Sequence, residues 1–347
     1  MSNSMKCAVV REYGSASEVL KIESLPVPDV GPDEVLVRQY ATSVNPIDCR
    51  VREGYGRVVF TKMRGFGLPL VLGRDVSGEV LKIGTKVKSL AVRDAVYGIS
   101  STKSSGAYSQ YVVAKSTEVV RKPVSLSYEE AASFPYVVCT VWDALVVKAG
   151  LNASNAKGKQ VFVQGGAGGI GSFAIQLLKS WGAHVATTCN KTQMESVRAL
   201  GADVIIDYEL EDYAASLSGY DVALETVGGA LEERTLNILN KEGTGVFVTI
   251  IHPLLKTFDE YGLLKGAIKN FVLFQKHKRY AKKIGVHRYY WATFKPNESA
   301  MLELNARVGS GDIRPHIGRV FKLDEIVAAQ QCCEQGKSNG KIIVKIE

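Results

Sequence analysis

The stretch Val161-Phe-Val-Gln-Gly-Gly-Ala-Gly-Gly-Ile-Gly171 decides the fold that we predict for this chain. Its apolar start predicts a buried strand over 161–164, and its glycines predict a sharp turn into a helix. Glycines let the backbone approach a diphosphate closely, and the following helix offers its positive N-terminus to that anion. The register is open, because Gly166, Gly168 or Gly169, and Gly171 can supply the three glycines. A purely structural glycine turn is the alternative.

The residues after this turn repeat the pattern of strand and helix. We predict strands over 183–188, 201–208, 220–225 and 245–250, with a helix over 192–200. Each strand is apolar and ends in polar residues or glycine, as buried parallel strands do. This alternation predicts a doubly wound dinucleotide-binding domain.

The end of the second predicted strand bears on the choice of dinucleotide. A unit selective for NAD usually places Asp or Glu there to bind the ribose 2′-hydroxyl. This chain instead reads Thr188-Cys-Asn-Lys191, with no carboxylate and with one cation. Because an acid would repel a 2′-phosphate and Lys191 would attract it, we expect NADPH. The alternative is that Lys191 is a solvated loop lysine.

The two ends of the chain predict a second domain. Residues up to about 125 form short apolar runs between Gly, Pro and Asp, which predict strands. Ser127 is a candidate helix N-cap. We predict loop and helices over 252–292, a helix over 297–311, and a final strand over 340–346 that returns to pair with the first part. We therefore assign residues 1–127 and 297–347 to a β-rich domain and residues 128–296 to the nucleotide domain.

Composition places the chain among ordinary globular proteins. Its 347 residues, 46% of them hydrophobic, suffice for two cores, and no uninterrupted apolar run approaches the ~20 residues of a membrane span. Six cysteines show no C-x-x-C spacing, which predicts reduced thiols. The net charge of +8 does not indicate which class of anionic partner the protein binds. The N-terminus shows no leader, so we expect a cytoplasmic protein, or a mitochondrial matrix protein if a transit peptide has been removed.

Several ordered motifs carry a resemblance to a known family. They are Asn45-Pro-Ile-Asp48, Gly73-Arg-Asp-Val-Ser-Gly78, Arg93-Asp-Ala-Val96, Gly106-Ala-Tyr-Ser-Gln-Tyr111 and Thr140-Val-Trp-Asp-Ala-Leu145. In order and spacing they resemble the medium-chain dehydrogenase/reductase superfamily, over nearly the whole chain. Within it, the chain is most similar to the zinc-free quinone oxidoreductase branch and, there, to the reticulon-4-interacting oxidoreductase group. The resemblance implies an α/β protein with a GroES-like catalytic domain and a Rossmann domain, and it implies a homodimer.

The residues themselves argue against a metal. Catalytic zinc needs three protein ligands from Cys, His or carboxylates in one pocket. Zinc-dependent relatives have Cys-His near position 45 and Gly-His-Glu where this chain has Gly73-Arg74-Asp75, and all five histidines here lie at 184 or beyond. Without a metal to lower the pKa of an alcohol, hydride transfer to an electrophilic acceptor is the chemistry that fits.

The resemblance also implies site residues. Asn45, Tyr55 and Thr140 would line the substrate pocket: Asn45 could donate to a carbonyl oxygen and Tyr55 could contact an aromatic acceptor. Asn45 as a turn residue and Tyr55 as a surface aromatic are the alternatives. The cofactor positions implied are Ala167, Gly168, Gly169, Ile170, Asn190, Lys191, Tyr208, Thr226, Thr249, Ala292, Phe294, Ser338, Asn339 and Gly340.

We therefore predict a zinc-independent NADPH oxidoreductase that acts on a quinone or similar conjugated carbonyl. An enone or alkenal double-bond reductase is the enzymatic alternative. The non-enzymatic alternative is a scaffold that binds NADPH without catalysis and contacts RNA, a membrane or a protein. The basic residues over 276–283 are interpreted as a solvated helix face, with peripheral membrane contact as a second interpretation. We expect no nucleic-acid partner.

Overall fold

The computed structural model describes residues 3–65, 67–101, 106–336 and 338–347. In chain order its strands are β1 (Ser4–Val10), β2 (Leu20–Pro26), β3 (Glu34–Val44), β4 (Leu70–Val71), β5 (Asp75–Ile83), β6 (Ala95–Ile99), β7 (Tyr111–Lys115), β8 (Val119–Arg121), β9 (Gln160–Val163), β10 (His184–Cys189), β11 (Val204–Asp207), β12 (Val222–Glu225), β13 (Val246–Thr249), β14 (Arg288–Trp291), β15 (Ile317–Lys322) and β16 (Lys341–Lys345).

The helices fill the intervals between these strands. They are α1 (Ala16–Val19), α2 (Pro46–Arg52), α3 (Arg57–Arg64), α4 (Tyr128–Ala132), α5 (Pro135–Val141), α6 (Gly169–Ser180), α7 (Met194–Ala199), α8 (Tyr213–Ser216), α9 (Leu231–Asn237), α10 (Leu254–Lys283), α11 (Glu298–Gly309) and α12 (Ile326–Glu334). A π-helix, Trp142–Lys148, continues α5, and single 3₁₀ turns cover Lys191–Gln193 and Leu323–Glu325.

One sheet is fully parallel and contains the predicted glycine turn. Its strand order is β11-β10-β9-β12-β13-β14, which is the order of a dinucleotide-binding fold with the glycine turn after its central first strand. The five strands predicted here, β9 to β13, are confirmed. The sixth, β14, corrects the prediction of loop and helices over 252–292. Arg288-Tyr-Tyr-Trp291 carries no strand signal longer than four residues, and only its pairing with β13 defines it.

The other strands form a seven-stranded sheet, β15-β16-β3-β5-β6-β8 with β7 also on β3, and a small sheet, β2-β1-β4. The final strand β16 pairs antiparallel with β3, with Ile342 opposite Val44, as the sequence predicted. The sequence did not predict β15, which runs parallel to β16. Because both ends of the chain build one sheet, the β-rich unit is discontinuous in sequence. Its exact limits at 127 and 297 stay a prediction.

The helical stretch Tyr128–Lys148 connects the two larger sheets. Ser127 caps it as predicted, since its hydroxyl accepts the N–H of Glu130 at 3.1 Å, and Pro135 begins a second helix within it. By length and composition this stretch could cross a membrane, although the sequence predicted no membrane span. However, 72% of its most apolar window is buried inside the protein. Val138 and Leu145 belong to the main core, so we interpret the stretch as a core helix.

A buried arginine joins α2 to α12 in the β-rich part of the fold. The Arg52 guanidinium is fully buried and donates to Gly14 O at 3.0 Å and Gln330 Oε1 at 2.9 Å. It also donates to the carboxylates of Glu53 and Glu334, at 2.8 and 2.5 Å. Buried charge is tolerated only when it is paired and hydrogen-bonded. These four contacts therefore hold α2, and with it the first part of the pocket, in place.

Candidate functional site

A cavity of about 1420 Å³ lies between the two larger sheets. On one side it is lined by residues at the carboxyl ends of parallel strands, among them Gln164, Thr188 and Thr226. On the other side it is lined by Asn45 and Lys341, which belong to the β-rich unit. Ligands of open α/β sheets bind outside the carboxyl ends of the strands. The cavity therefore lies where the sequence predicted a dinucleotide.

The glycine turn forms one wall, and the structure settles its register. Gly165 has a left-handed φ of +70°, which makes the bend after β9. A Cβ on Gly166 would lie 2.4 Å from Thr187 Oγ1, and a Cβ on Gly171 would lie 2.2 Å from Gly165 O. A Cβ on Gly168 would have nothing closer than 3.5 Å. Gly166 and Gly171 are thus needed for packing, whereas Gly168 faces the cavity.

The start of α6 is suited to bind an anion. Ala167, Gly168, Gly169 and Ile170 all line the cavity, and no side chain caps the helix at Gly168. The first backbone N–H groups of a helix have no partner within it and carry its positive dipole end. The sequence-predicted diphosphate residues are therefore together, at a helix N-terminus that opens on the cavity.

Two buried hydrogen-bond acceptors in the cavity wall have no donor among the described residues. Within the described part of the chain, Gln164 Oε1 and His252 Nδ1 have no hydrogen-bond partner. His252 Nε2 is 2.9 Å from Ala292 O, and burial lowers the pKa of this histidine, so its ring is neutral with Nδ1 as an acceptor. Buried polar atoms without partners are unfavourable. A bound cofactor with amide and hydroxyl donors would satisfy both, so these residues fit a nicotinamide dinucleotide.

Only one of the three residues predicted to bind the adenosine end of the cofactor lines the cavity. Tyr208 lines it, but Asn190 and Lys191 are not among its lining residues. Asn190 begins a 3₁₀ turn, where its Oδ1 accepts the Thr192 hydroxyl at 2.7 Å, and Lys191 is exposed to solvent. Local capping thus occupies the asparagine. The polar side chains that do line this end are Gln193, Glu211 and Arg234.

The two predicted threonines at strand ends differ in placement. Thr226 lines the cavity, and its hydroxyl donates to Gln164 O at 2.8 Å. Thr249 is fully buried and does not line it. Its hydroxyl donates to Glu225 Oε2 at 2.6 Å instead. Burial raises the pKa of Glu225, and this carboxylate needs donors to remain in the core. That need accounts for the orientation of Thr249.

Asn45 is part of a buried polar network. It is 1% exposed and begins α2, where its backbone N–H donates to Asp48 Oδ2 at 2.9 Å. Its amide Nδ2 donates to Asp75 Oδ2 at 2.7 Å, and its Oδ1 accepts from Lys341 Nζ at 2.6 Å. Asp75 also accepts the backbone N–H of Tyr136 at 2.7 Å. Asp75 therefore uses one amide hydrogen of Asn45 and Lys341 uses its oxygen, while the ammonium of Lys341 has further hydrogens for other acceptors.

Lys341 bridges the acceptor side of the cavity and the glycine turn. It is 7% exposed, lines the cavity, and lies 3.8 Å from Asp75 Oδ2. A Cβ on Gly169 would lie 2.8 Å from its Cδ, so the lysine stem passes directly over the turn. An ammonium group has three N–H donors. One is used by Asn45, which leaves donors for Asp75 and for a bound molecule.

Asp48 lies beneath this network and is 4% exposed. Its Oδ2 accepts the Tyr108 hydroxyl at 3.0 Å as well as the N–H of Asn45. Burial raises the pKa of Asp48 to about 6, an increase that the hydrogen bond from the backbone of Asn45 only partly offsets. Burial also raises the pKa of Tyr108. The site therefore contains a carboxyl group that titrates near neutrality.

The remaining predicted residues surround the same space. Tyr55 and Thr140 line the cavity; burial raises the pKa of Tyr55, and the Thr140 hydroxyl donates to Tyr136 O at 2.8 Å. Phe294 stacks on Tyr136, with centroids 4.5 Å apart. Ala292, Phe294, Ser338, Asn339 and Gly340 line the cavity as well. Of the predicted site residues, Asn190, Lys191 and Thr249 are the ones that the structure does not bring to the cavity wall.

Sequence reasoning missed several polar residues of the site, among them Gln164, Asp75, His252 and Lys341. For two of them the sequence held a signal. Asp75 and Lys341 are the charged first residues of strands β5 and β16, and Lys341 directly follows the predicted cofactor residue Gly340. Gln164 and His252 have no such signal, because strand ends commonly carry polar residues.

Metal binding has no support from the described residues. Among them, no group of three or more His, Cys, Asp and Glu side chains is placed to hold an ion. Zinc independence nevertheless stays a prediction.

The chain matches known families over both sheets. Residues 31–124 match the alcohol dehydrogenase GroES-like domain, and residues 200–344 match a family described as zinc-binding dehydrogenase. The chain is 37% identical, over 99% of its length and 91% of the relative, to the mitochondrial NAD(P)H oxidoreductase RTN4IP1 of Danio rerio. This chain belongs to the medium-chain dehydrogenase/reductase superfamily. The predicted family and fold class are thus confirmed.

Further relatives define the activity more closely. This chain is 31% identical to 2-methylene-furan-3-one reductase of Solanum lycopersicum, over 98% of this chain and 79% of that protein. The quinone oxidoreductase of Coxiella burnetii superposes with a TM-score of 0.84 at 29% identity, over 99% of this chain and 100% of that one. The chain is therefore an oxidoreductase that uses a nicotinamide cofactor. The RTN4IP1 relative is named mitochondrial, so the cytoplasmic location expected from the sequence is not supported.

Proposed function

We propose that this protein is an NADPH-dependent reductase of quinones or similar conjugated carbonyls and that it works without zinc. The observation that carries this proposal is the ammonium of Lys341, held by Asn45 between the glycine turn and the acceptor side of one cavity. A buried cation there can do what a metal does in the zinc enzymes, which is to stabilise negative charge on an oxygen.

The nicotinamide supplies the hydride when it is bound. The residues of the chain have to orient the acceptor and stabilise the charge that develops on its oxygen. Lys341 has further N–H donors for that oxygen, and its contacts with Asn45 and Asp75 hold the ammonium in position. We thus move the role of donor from Asn45, where the sequence had it, to Lys341, and we make Asn45 a positioning residue. Tyr55 and the stacked pair Tyr136–Phe294 supply flat apolar surface for a planar acceptor.

Support for NADPH over NADH comes from the end of β10. Residues 189–191 hold no carboxylate to bind a ribose 2′-hydroxyl, and the cation Arg234 lines the cavity. Glu211 also lines this end and would oppose a phosphate. Arg234 is 3.4 Å from Asp212, so its charge is shared. We expect Arg234→Gln to raise the KM for NADPH more than the KM for NADH, which steady-state kinetics with both cofactors would measure.

A second candidate reaction is reduction of an enone carbon–carbon double bond. The tomato relative, 31% identical, is named as a reductase of a compound of this class. The same cationic donor would serve both reactions, because the carbonyl oxygen gains negative charge in each. Product analysis separates them: a quinone yields a hydroquinone, whereas an enone yields a saturated ketone.

The test is NADPH oxidation by the purified protein with a quinone panel and an enone panel, repeated with NADH and with a chelator. Lys341→Met should lower kcat/KM about 100-fold or more, as loss of one oxyanion donor does. Lys345→Met, on the same strand but half-exposed and paired with Glu129, is the matched control and should change it less than about 2-fold. Turnover that the chelator abolishes would refute the zinc-free mechanism. Tight NADPH binding without turnover on either panel would favour the scaffold alternative.

Two further expectations concern the setting of the enzyme. We propose a mitochondrial location, as the relatives' names state for them. We also propose a homodimer, in line with the superfamily resemblance; within the described chain, β14 pairs on one side only, with β13. Light scattering of the purified protein would measure the oligomeric state.

A further inference from the structure

The long helix α10 leaves an apolar stripe uncovered. Its backbone is interrupted at Gly262, and beyond that point Leu264, Ile268, Phe271 and Val272 are 79%, 60%, 63% and 57% exposed. We call these four residues the outer stripe. Spacings of three and four residues place them on one side of the helix. Contiguous exposed apolar surface of this kind marks a contact site.

The outer stripe cannot turn inward, because the opposite side of the helix is already packed. Gly266, Asn270 and Ala281 are buried there. Asn270 Nδ2 donates to Leu254 O at 3.0 Å, across the interruption. A Cβ on Gly266 would lie 2.8 Å from the Phe258 ring, so the two segments of α10 are in close contact. The orientation of the stripe is therefore set by the fold.

The same segment is strongly and uniformly basic. Residues 262–283 contain no Asp or Glu. Their cations are Lys265, Lys269, Lys276, Lys278, Arg279, Lys282 and Lys283. A second copy of this chain, presenting the same surface, would meet it with like charge. An anionic surface with an apolar interior is what this combination complements.

We infer that the outer stripe and the basic residues of α10 dock on an anionic lipid bilayer. In this arrangement the four apolar side chains enter the boundary between headgroups and acyl chains, and the lysines and Arg279 meet lipid phosphates. Docking of this kind is peripheral and reversible, and it weakens as salt concentration rises.

The docking helix is also part of the cavity wall. Before Gly262, Leu254, Leu255 and Phe258 of α10 line the cavity. Asp259 of the same segment accepts the N–H of Val58 at 3.0 Å and that of Gly56, next to Tyr55. A bilayer contact at the outer stripe would therefore bring the cavity close to membrane-dissolved acceptors. This last consequence rests on the proposed function, whereas the bilayer contact does not.

The experiment is flotation of the full chain with phosphatidylcholine vesicles that contain or lack phosphatidylglycerol. We expect binding only to the anionic vesicles, reduced by salt. Lys278→Gln, Arg279→Gln and Lys282→Gln together should weaken it about 100-fold, at about fivefold for each cation. Lys82→Gln, Lys86→Gln and Lys88→Gln, three exposed lysines of the β-rich unit, are the matched control and should change affinity less than about threefold.

A second pair of variants tests the apolar part. Leu264→Gln with Phe271→Gln should weaken vesicle binding about tenfold or more. Leu302→Gln with Val320→Gln, 53% and 50% exposed elsewhere, should leave it unchanged. Thermal unfolding and NADPH binding of every variant confirm that the fold is intact. These readouts do not depend on turnover, so failure here is distinct from failure of the proposed reaction.

Three results would overturn the inference. The first is equal binding to neutral and anionic vesicles, or none to either. The second is a dimer that the outer-stripe variants dissociate while the unaltered protein ignores vesicles, which would assign the stripe to a second copy. The third is salt-sensitive RNA binding that the cation variants abolish, without vesicle binding, which would assign the surface to nucleic acid.

Discussion

Replacing Gly171 with alanine tests the architecture of the nucleotide turn. A Cβ at this position would lie 2.2 Å from Gly165 O and 2.7 Å from Gly166 Cα. Both atoms belong to the backbone, so no side-chain rotation can relieve the overlap. A Cβ on Gly168, three residues earlier, would lie 3.5 Å from Gly165 O, an ordinary contact. An alanine at position 171 would thus clash with the backbone, whereas an alanine at position 168 of the same turn would not.

The magnitude follows from two opposing effects. Alanine is favoured over glycine within a helix by about 1 kcal/mol, and Gly171 lies in the first turn of α6. Overpacking costs about 1–3 kcal/mol, occasionally more, and a clash with rigid backbone belongs at the upper end. We therefore expect Gly171→Ala to lower the free energy of unfolding by about 2 kcal/mol. For domains of this size, that lowers Tm by about 4–8 °C.

The assay compares Tm without cofactor and the Kd for NADPH in both variants. Gly171→Ala should have a lower Tm than the unaltered protein and should bind NADPH more weakly. Gly168→Ala should keep its Tm within about 1 °C, because its backbone conformation suits alanine, yet bind NADPH weakly because its methyl group points into the cavity. An unchanged Tm for Gly171→Ala would refute the packing argument. An unchanged Kd for Gly168→Ala would refute the placement of the diphosphate.

Three further predictions concern the pocket and its support. Burial raises the pKa of Asp48 from 3.8 to about 6. Between these two pH values the folded protein therefore binds more protons than the unfolded chain. The free energy of unfolding should fall by about 3 kcal/mol as the pH rises through this interval. Urea titrations at several pH values should show this slope flattened in Asp48→Asn, and an equal slope in both proteins would contradict the assignment. Arg52→Met, which leaves buried acceptors without a donor, should lower the free energy of unfolding by about 3 kcal/mol in denaturant titrations, whereas Arg11→Met, at an exposed pair, should leave the denaturation midpoint nearly unchanged. The neighbouring Cys49 and the Lys341 ammonium lower the pKa of Cys333, which lines the cavity, whereas burial raises the pKa of Cys139 to about 12. Iodoacetamide followed by peptide mass spectrometry should modify Cys333 first, with NADPH protecting it, and preferential labelling of Cys139 would argue against this environment.

The sequence alone determined those features that depend on local pattern. The glycine turn, the apolar strands β9 to β13 and the capped helix at Ser127 were all predictable, because backbone flexibility, alternation and capping act over a few residues. The proposed diphosphate-binding residues 167–170 were predicted from the same turn. The order of motifs along the chain was sufficient to identify the superfamily.

Other parts of the molecule depend on partners far away in the chain. β14 is a strand only because β13 offers it an open edge, and Thr249 turns from the cavity because the buried carboxylate of Glu225 requires its hydroxyl. Lys341 meets Asn45, 296 residues earlier, because β16 pairs with β3. Local patterns predict elements, but they do not predict which buried polar groups must satisfy one another. The tertiary structure therefore decided the donor set of the site, since each buried charge has to find its partner within the folded chain.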